Sequence, residues 1–184
     1  MVVRLHDLRV EAIDGAAVAS MAVDGPDVEP GWRLTLRRHD AAPGAIDRSA
    51  TPFLPIAAVH AAAGAQDLVI DGPVDSVALA GAKAATRRLG DWFGWRIPNI
   101  SVEGEPDWEP RGLEVGVFYS RGLDSMATLL AGRAEIGHLV GLDWQDAPYA
   151  TDGTAAVWSG TMAGASAVGL PLHRISTNGR QVLD

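Results

Sequence analysis

The sequence contains no cysteine, and this absence excludes several kinds of site. Without thiols the chain has no disulfide framework, no thiolate nucleophile and no cysteine-ligated zinc or iron–sulfur cluster. No stretch approaches the roughly 20 apolar residues of a membrane-spanning helix. The first residues, MVVRLHDLRVEA, alternate charged and apolar side chains and lack the basic and apolar regions of a signal peptide. We therefore expect a cytoplasmic protein that does not contact membranes.

Positive charge is also scarce, since 15 Lys and Arg stand against 23 Asp and Glu and the formal net charge is −8 at pH 7. General nucleic-acid binding needs a basic face that displaces counterions from phosphates, so we do not expect it. A local basic pocket for one nucleotide remains compatible with this charge. Because 47% of the residues are hydrophobic and 21% are charged, the composition is that of a folded globular protein rather than a disordered one.

Residues 1–104 have the pattern of a small N-terminal α+β domain. The segments VVRLHDLRVEA and AAVASMAVDG are strand candidates joined by the turn IDG, and WRLTLRRHD is the clearest half-buried strand. Apolar and polar residues alternate along this third segment, which places them on opposite faces of a strand. The apolar face carries Trp32, Leu34 and Leu36. The polar face carries Arg33, Thr35 and Arg37.

Two helices and two short strands complete this first pattern. PFLPIAAVHAAAG is an Ala-rich helix that ends at Gly64, and VDSVALAGAKAATRRLGDWFGW has helical spacing over roughly four turns, with Asp75 or Ser76 as the cap. DLVIDGPV and IPNISVE are the strands. The segment GEPDWEPRG is rich in proline and acidic residues, so we interpret residues 105–112 as a linker.

In residues 113–184 strands alternate with helices. LEVGVFY, HLVGLD and LPLHRIS are the strands, and DSMATLLAGR and TAAVWSGTMAGASAV are the helices between them. Strands without polar alternation that are connected by helices indicate a parallel sheet with both faces covered. The sequence therefore predicts an α/β fold in which this part begins a doubly wound, Rossmann-like sheet. Three strands are few for such a sheet, so we expect the domain to be incomplete.

The corner from Ser120 to Ser125 is the strongest candidate site. It follows the first strand of the predicted parallel sheet, where ligands of open α/β sheets bind. A helix that begins near Leu123 leaves unpaired N–H groups there, and these favour an anion. The two serines supply hydroxyl donors, and Gly122 lets a ligand approach the backbone closely. Asp124 either caps the helix or holds a magnesium ion.

The segment FYSRGLDSMATLL resembles the PP-loop of the ATP pyrophosphatases, the adenine nucleotide alpha hydrolase-like superfamily, whose motif is Ser-Gly-Gly-x-Asp-Ser. The matching residues are Ser120, Gly122, Asp124 and Ser125, with Leu123 at the variable position. Arg121 replaces the first glycine. If this position requires a positive φ, a side chain there costs about 1–2 kcal/mol, which phosphate contacts could offset. Arg121 is therefore compatible with a working variant and with a loop that no longer holds phosphate.

The resemblance implies an ATP-binding domain of an AMP-forming ligase or amidotransferase-like enzyme. Such enzymes hold the β- and γ-phosphates of ATP in this loop while an oxygen of a small acid or amide attacks the α-phosphate and pyrophosphate leaves. The loop from Ser120 to Ser125 would then contact ATP, with Arg121 as an extra cation and Asp124 on Mg²⁺. The resemblance also implies that the backbone of Val140, Gly141 and Leu142 contacts adenine, and that this chain is the first part of a longer family member. It assigns no catalytic residue.

A second interpretation of the same residues is a catalytically inactive nucleotide-binding or assembly subunit. A shortened sheet leaves an edge that needs cover, which favours a homodimer or a partner chain that supplies the remaining strands. A third interpretation is purely structural, since a capped helix after a strand is common in α/β proteins.

Other polar residues carry weaker predictions. Asp143 and Asp146 could serve a metal or a ribose, but a polar loop at a strand end is the simpler interpretation, and Trp144 either stacks on a base or covers the core. The five histidines lack metal-ligand spacing, so we interpret them as surface or core residues. The arginines interpreted as solvated are Arg37, Arg38, Arg87 and Arg88.

Overall fold

A computed structural model describes residues 1–46, 48–104, 115–144 and 152–182. Within these ranges the fold is mixed α/β, with eight strands in one mixed sheet and four α-helices. The strands are β1 (Val2–Ile13), β2 (Ala16–Asp24), β3 (Arg33–Arg38), β4 (Asp67–Asp71), β5 (Ile100–Glu103), β6 (Val115–Phe118), β7 (Ile136–Trp144) and β8 (Leu172–Thr177). The helices are α1 (Leu54–Ala63), α2 (Ser76–Phe93), α3 (Leu123–Ala131) and α4 (Asp152–Val168). None of these helices is long and apolar enough to cross a membrane.

The sheet contains two groups of parallel strands, in the order β5-β4-β1-β2-β3-β8-β7-β6. β1, β4 and β5 are parallel, and β2 and β3 extend this first group by antiparallel pairing. β6, β7 and β8 form the second parallel group. The groups meet where β3 pairs antiparallel with β8, with Leu36 opposite Thr177. One sheet therefore runs through both parts of the chain.

Helices α1 and α2 cover one face of the first group. Alternate side chains of β1, β2 and β4 point to this face, and Leu5, Met21 and Ile70 are fully buried there. Phe53, which precedes α1, is also fully buried in this core. Burying a side chain of this size contributes about 1.5–3 kcal/mol, so this core is the main source of stability in the first group.

Helices α3 and α4 cover the opposite face of the second group. Because Leu36 faces α1 and pairs with Thr177, the alternate residues Leu172 and Arg174 of β8 point to the other side of the sheet. Leu172 packs there in a second core that contains Leu129 of α3 and Ala165 of α4. The two pairs of helices thus lie on opposite faces of one sheet.

Each group also has a face on which the described residues place no helix. In the first group this face is polar and carries ion pairs such as Arg4–Asp71, with 2.7 Å between Nη2 and Oδ1. In the second group the corresponding face is apolar except for His138 and His173, whose ring centroids are 5.2 Å apart, and Phe118 and Leu142 on it are 67% and 43% exposed. The polar groups of the first face are compatible with exposure to water. The face of the second group exposes apolar side chains that no described element covers.

The positions predicted for the eight strands and four helices are confirmed in the described residues. Helix α2 has 18 residues, about five turns, whereas the sequence predicted roughly four turns. The helix ends at Phe93, and Gly94 follows with φ +70°. Of the two caps considered for this helix, the structure uses Asp75, whose Oδ1 accepts from the Ala78 N–H at 2.6 Å. The predicted linker at 105–112 lies outside the described residues.

The coverage of the second group differs from the prediction of helices on both faces. Both crossovers, from β6 to β7 and from β7 to β8, move in the same direction across the sheet. Right-handed crossovers that move in one direction place their helices on one face, and α3 and α4 accordingly share a face. Within the described residues, α1 and α2 lie on one face of the sheet and α3 and α4 on the other, so each strand group has helices on one face.

Candidate functional site

The candidate site is the exposed corner between β6 and α3. Tyr119, which follows β6, is 4% exposed, and its N–H donates to the Val140 carbonyl of β7 at 2.8 Å. The chain then turns into solvent at Ser120 and enters α3 at Leu123. The corner therefore projects from a fixed strand end, at the carboxyl edge of the parallel strands, as the sequence predicts for Ser120 to Ser125.

Two serine hydroxyls meet in this corner. The Oγ atoms of Ser120 and Ser125 are 3.3 Å apart, and the Ser125 hydroxyl also donates to the Gly122 carbonyl at 3.0 Å. The Gly122 N–H donates in turn to Ser120 Oγ at 3.3 Å. A Cβ built on Gly122 would lie 3.3 Å from the same oxygen, so a larger residue would crowd the serine. These contacts hold both hydroxyls together on the exposed side of the corner.

Helix α3 begins without a side-chain cap from its N-cap residue. Gly122 occupies the N-cap position and has no side chain to accept from the first-turn N–H groups, in contrast to Asp75 at the start of α2. The first turn of α3 therefore presents N–H groups beside the two hydroxyls. Asp124 lies in this turn and is exposed, and Leu123 is 86% exposed. The corner thus combines hydroxyl donors, helix N–H groups and one carboxylate.

Arg121 has the left-handed backbone conformation, with φ +64°. Glycine adopts this conformation at low cost, whereas a residue with a Cβ is strained in it. The arginine side chain packs on α4, since a Cβ built on Gly160 would lie 2.5 Å from its Nη1 and one on Gly164 would lie 3.4 Å from its Cδ. Position 121 therefore has a backbone conformation typical of glycine, and Gly160 and Gly164 of α4 leave room for the arginine side chain.

The segment from Val140 to Leu142 lies in β7, beside the corner. Phe118, the last residue of β6, pairs with Val140, so β7 extends beyond the end of β6 from Gly141 onward. Along a strand, the N–H and C=O groups of successive residues point to alternate edges. The N–H and C=O groups of Leu142 therefore point to the same edge as the Val140 carbonyl, beyond the end of β6. The structure thus brings Val140, Gly141 and Leu142 to the same edge of the sheet as the serine corner.

Asp124 is the carboxylate that the corner offers to a cation. Within the described residues no group of three or more His, Asp or Glu side chains is arranged to hold a metal ion. Mg²⁺ that binds together with nucleotide phosphates takes one or two protein carboxylates, and water and phosphate oxygens fill its other positions. The corner supplies one such carboxylate, that of Asp124. The side chains of Asp143 and Trp144, and Asp146 as a whole, lie outside what the structure describes.

Sequence reasoning missed two groups of contacts in the second strand group, one between α4 and the sheet and one, formed by Arg38 and His173, on the opposite face of the sheet. The Arg174 guanidinium lies 4.7 Å from the Trp158 ring centroid, and the same ring packs on Gly141, where a Cβ would lie 2.6 Å from it. The Arg38 guanidinium contacts Nδ1 of His173 at 3.1 Å, although the sequence suggested a solvated Arg38. These residues come from β3, β7, α4 and β8 and have no common spacing, so no sequence signal could have grouped them.

Comparison with known proteins adds no relative to this geometry. No family model, no curated protein and no solved structure matches the chain. The functional interpretation therefore rests on the site itself.

Proposed function

We propose that the corner from Ser120 to Ser125 binds the phosphates of ATP, as part of an AMP-forming ligase or amidotransferase-like reaction. The observation that carries this proposal is the pair of serine hydroxyls, 3.3 Å apart, beside a helix N-terminus whose N-cap residue has no side chain. Hydroxyl and N–H donors that converge at the carboxyl edge of parallel strands form a typical anion site. The resemblance of FYSRGLDSMATLL to a PP-loop, at the end of one of three parallel strands, supports the choice of ATP over other anions.

The donors of the corner are sufficient for a site of useful affinity. A hydrogen bond to a charged phosphate contributes about 1.5–3 kcal/mol, and a helix N-terminus adds about 0.3–1 kcal/mol. Ser120, Ser125 and one N–H group of α3 therefore offset much of the cost of ordering a triphosphate. Beside them, the backbone of Val140, Gly141 and Leu142 would contact the adenine edge.

In the proposed reaction an oxygen of a small acid or amide attacks the α-phosphorus, the bond between the α-phosphorus and its bridging oxygen breaks, and pyrophosphate leaves. Ser120 and Ser125 would hold the β- and γ-phosphates in line with this attack. Mg²⁺, held by Asp124 and the phosphates, would neutralise charge on the leaving pyrophosphate. The protein would then act by positioning and charge stabilisation, without a covalent intermediate.

Titration calorimetry with ATP and Mg²⁺ tests the binding step. We expect Ser125→Ala to weaken ATP binding about tenfold or more, because it removes one hydrogen bond to phosphate. We expect Asp124→Ala to reduce the dependence of ATP binding on Mg²⁺. Thr128→Ala is the matched control, since the Thr128 hydroxyl lies one turn further along α3 and donates to the Asp124 carbonyl at 2.9 Å. Absence of saturable ATP binding by the native protein would refute the proposal.

Pyrophosphate release, measured with panels of small acids and amine donors, tests the reaction. Release that depends on ATP and on one acid would support the adenylating enzyme. ATP binding without pyrophosphate release in every combination would instead favour a non-catalytic nucleotide-binding subunit.

The second candidate function, assembly, is favoured by the exposed apolar face of the second strand group. We propose a second copy of this chain as its occupant. β6 is an edge strand, so two copies related by a twofold axis can pair their β6 edges antiparallel and cover each other's Phe118. The described residues on this face of β6, β7 and β8 include no Asp, Glu, Lys or Arg, so two chains of net charge −8 would not repel each other there.

Sedimentation velocity over a range of protein concentrations tests this assembly. We expect a dimer that Phe118→Asp dissociates. Val77→Asp is the control, since Val77 on α2 is 65% exposed, close to the 67% of Phe118. A native protein that stays monomeric, or a dimer that both variants leave intact, would contradict this mode of assembly.

A further inference from the structure

We propose that a cup beside the loop between β2 and β3 binds an organic cation, a primary amine attached to an aromatic or apolar body. The cup has a volume of about 340 Å³, which lies within the range of small-molecule sites. Its described lining consists of Asp27, Val28, Glu29 and Trp32 from this loop and of Gln181, which follows β8. Because β8 and β7 lie between β3 and β6, the cup is separate from the serine corner, and this inference does not depend on the nucleotide site.

Backbone hydrogen bonds fix the loop that forms most of the cup. The Val28 N–H donates to the Gly25 carbonyl at 3.3 Å, and the Trp32 N–H donates to the Glu29 carbonyl at 3.0 Å. The Trp32 carbonyl accepts from the Val23 N–H at 3.1 Å, which continues the pairing of β2 with β3. The side chains of Val28 and Trp32 pack against the first core. The fold therefore holds the cup in shape before a ligand arrives, which lowers the entropic cost of binding.

Both charged side chains in the described lining of the cup are carboxylates. Asp27 and Glu29 are exposed, and neither of them forms an ion pair with a described residue. Two neighbouring carboxylates in one concave site raise the local concentration of cations, because the low-dielectric walls focus the field. The net charge of −8 on the whole chain attracts a ligand of the same sign. The charge of the cup therefore selects a cation.

A buried amide behind the cup lacks a hydrogen-bond donor. Gln66 is 1% exposed, and its Nε2 donates to Asp27 Oδ2 at 3.0 Å. Its Oε1 is buried and has no hydrogen-bond partner among the residues that the structure describes. The oxygen and nitrogen belong to one planar amide, so this unpaired acceptor lies close to the carboxylate that Nε2 holds. An ammonium carries three N–H donors, which are the groups that Gln66, Asp27 and Glu29 can accept.

Trp32 gives the cup an apolar wall. Its side chain is half-buried, with the first core on one side and the cup on the other. Tryptophan is the aromatic residue whose ring attracts a cation most strongly, and an aromatic or aliphatic body would lose its contact with water against the ring. Within the described residues no group of three or more His, Asp or Glu is arranged to hold a metal ion. The lining therefore fits an organic amine better than a metal cation.

Nuclear magnetic resonance titration tests the proposal, with phenethylamine, phenethyl alcohol and ammonium as the probes. The alcohol has the aromatic body without the charge, and ammonium has the charge without the body. We expect phenethylamine to shift the Trp32 indole signal saturably, with the signal assigned through Trp32→Phe, and the other two probes to bind about fivefold more weakly or less.

Substitutions at Glu29 test the role of its charge. We expect Glu29→Gln to weaken phenethylamine binding about threefold to fivefold, because it removes one exposed carboxylate. Glu29→Lys should weaken this binding about tenfold or more, because it places a cation in the cup. Glu29 is exposed, and its side chain makes no described hydrogen bond or ion pair, so both variants should fold as the native protein does.

Glu11→Gln is the matched control, and we expect it to leave the affinity unchanged. Glu11 is exposed near the end of β1, beside the turn into β2, whereas the cup follows the other end of β2. The proposal is overturned if phenethylamine leaves the Trp32 signal unshifted. It is also overturned if phenethyl alcohol or ammonium binds as tightly as phenethylamine, or if both Glu29 variants keep the affinity of Glu11→Gln.

Discussion

At the scale of single residues, Arg121 combines a strained backbone with a well-packed side chain. Its φ of +64° is the conformation in which a Cβ approaches the backbone too closely. Its guanidinium lies against Gly160 and its Cδ against Gly164 of α4, and both glycines leave room for it. Strain that a structure retains at an exposed corner, beside two paired hydroxyls, is a feature found at functional sites.

Two substitutions at position 121 separate the backbone strain from the side-chain contact. Both Arg121→Gly and Arg121→Ala remove the guanidinium, but only glycine relieves the positive φ. We expect the glycine variant to be more stable than the alanine variant by about 1 kcal/mol, the reverse of the usual order of these residues. Urea denaturation of both variants measures this difference. An alanine variant as stable as the glycine variant would show that the corner relaxes to a negative φ.

At the scale of secondary-structure elements, ion pairs and backbone contacts connect the strands of the polar face. Arg4 on β1 pairs with Asp71 on β4 and with Glu103 on β5. Asp67, at the start of β4, accepts from the Asn99 N–H at 2.9 Å and from Arg96 Nη2 at 2.7 Å. The Asn99 N–H, and then Arg96, lower the pKa of Asp67 below its usual value. Polar contacts therefore fasten this edge of the sheet on the face that has no helix.

The lowered pKa of Asp67 makes part of the stability dependent on pH. The folded protein binds fewer protons here than the unfolded chain, so this contribution is complete above about pH 4 and is lost as the pH falls through the pKa of the folded state. We expect Asp67→Asn to be less stable than the native protein at pH 7 and the difference to shrink between about pH 5 and pH 2. Chemical denaturation at several pH values measures it.

Asp91→Asn is the control for this pH dependence. Asp91 is exposed on α2 and forms no ion pair with the described residues, so its substitution should change stability little at any of these pH values. A difference for Asp67→Asn that stays constant from pH 7 to pH 2 would contradict the proposed linkage.

At the scale of the whole molecule, the junction of β3 and β8 joins the two strand groups. Asn178, just after β8, continues this junction with its side chain, since Oδ1 accepts from the Thr35 N–H and Nδ2 donates to the Arg33 carbonyl, each at 2.8 Å. One amide thus satisfies both a donor and an acceptor of β3.

Removal of this amide tests how much the junction contributes. We expect Asn178→Ala to lower the free energy of unfolding by about 1–2 kcal/mol, because two half-buried backbone groups lose their partners. Asn99→Ala is the control, since Asn99 uses its backbone N–H and its side chain is exposed. Urea denaturation measures both changes. Equal stability of the two variants would show that the junction does not depend on the side chain of Asn178.

Local patterns were sufficient for the elements and for the corner, but not for their arrangement. Alternation in WRLTLRRHD marked β3 and its two faces, and Ala-rich helical spacing before Gly64 marked α1, because these signals lie within one element. The same holds for the position of Ser120 to Ser125 between β6 and α3. Pairing of β3 with β8 joins residues about 140 positions apart, and no local pattern specifies such a partner.

By itself the sequence determined the strands, the helices and the polar corner of this protein, since propensity, periodicity and turn chemistry act over a few neighbouring residues. The tertiary structure alone decided that one sheet continues through both parts, that α3 and α4 share a face, and that Arg174 lies against Trp158 while Arg38 contacts His173 on the opposite face. These outcomes depend on which strand edges pair and which faces find apolar cover. Both are properties of the folded chain as a whole, in which contacts between distant residues compete for the same surfaces.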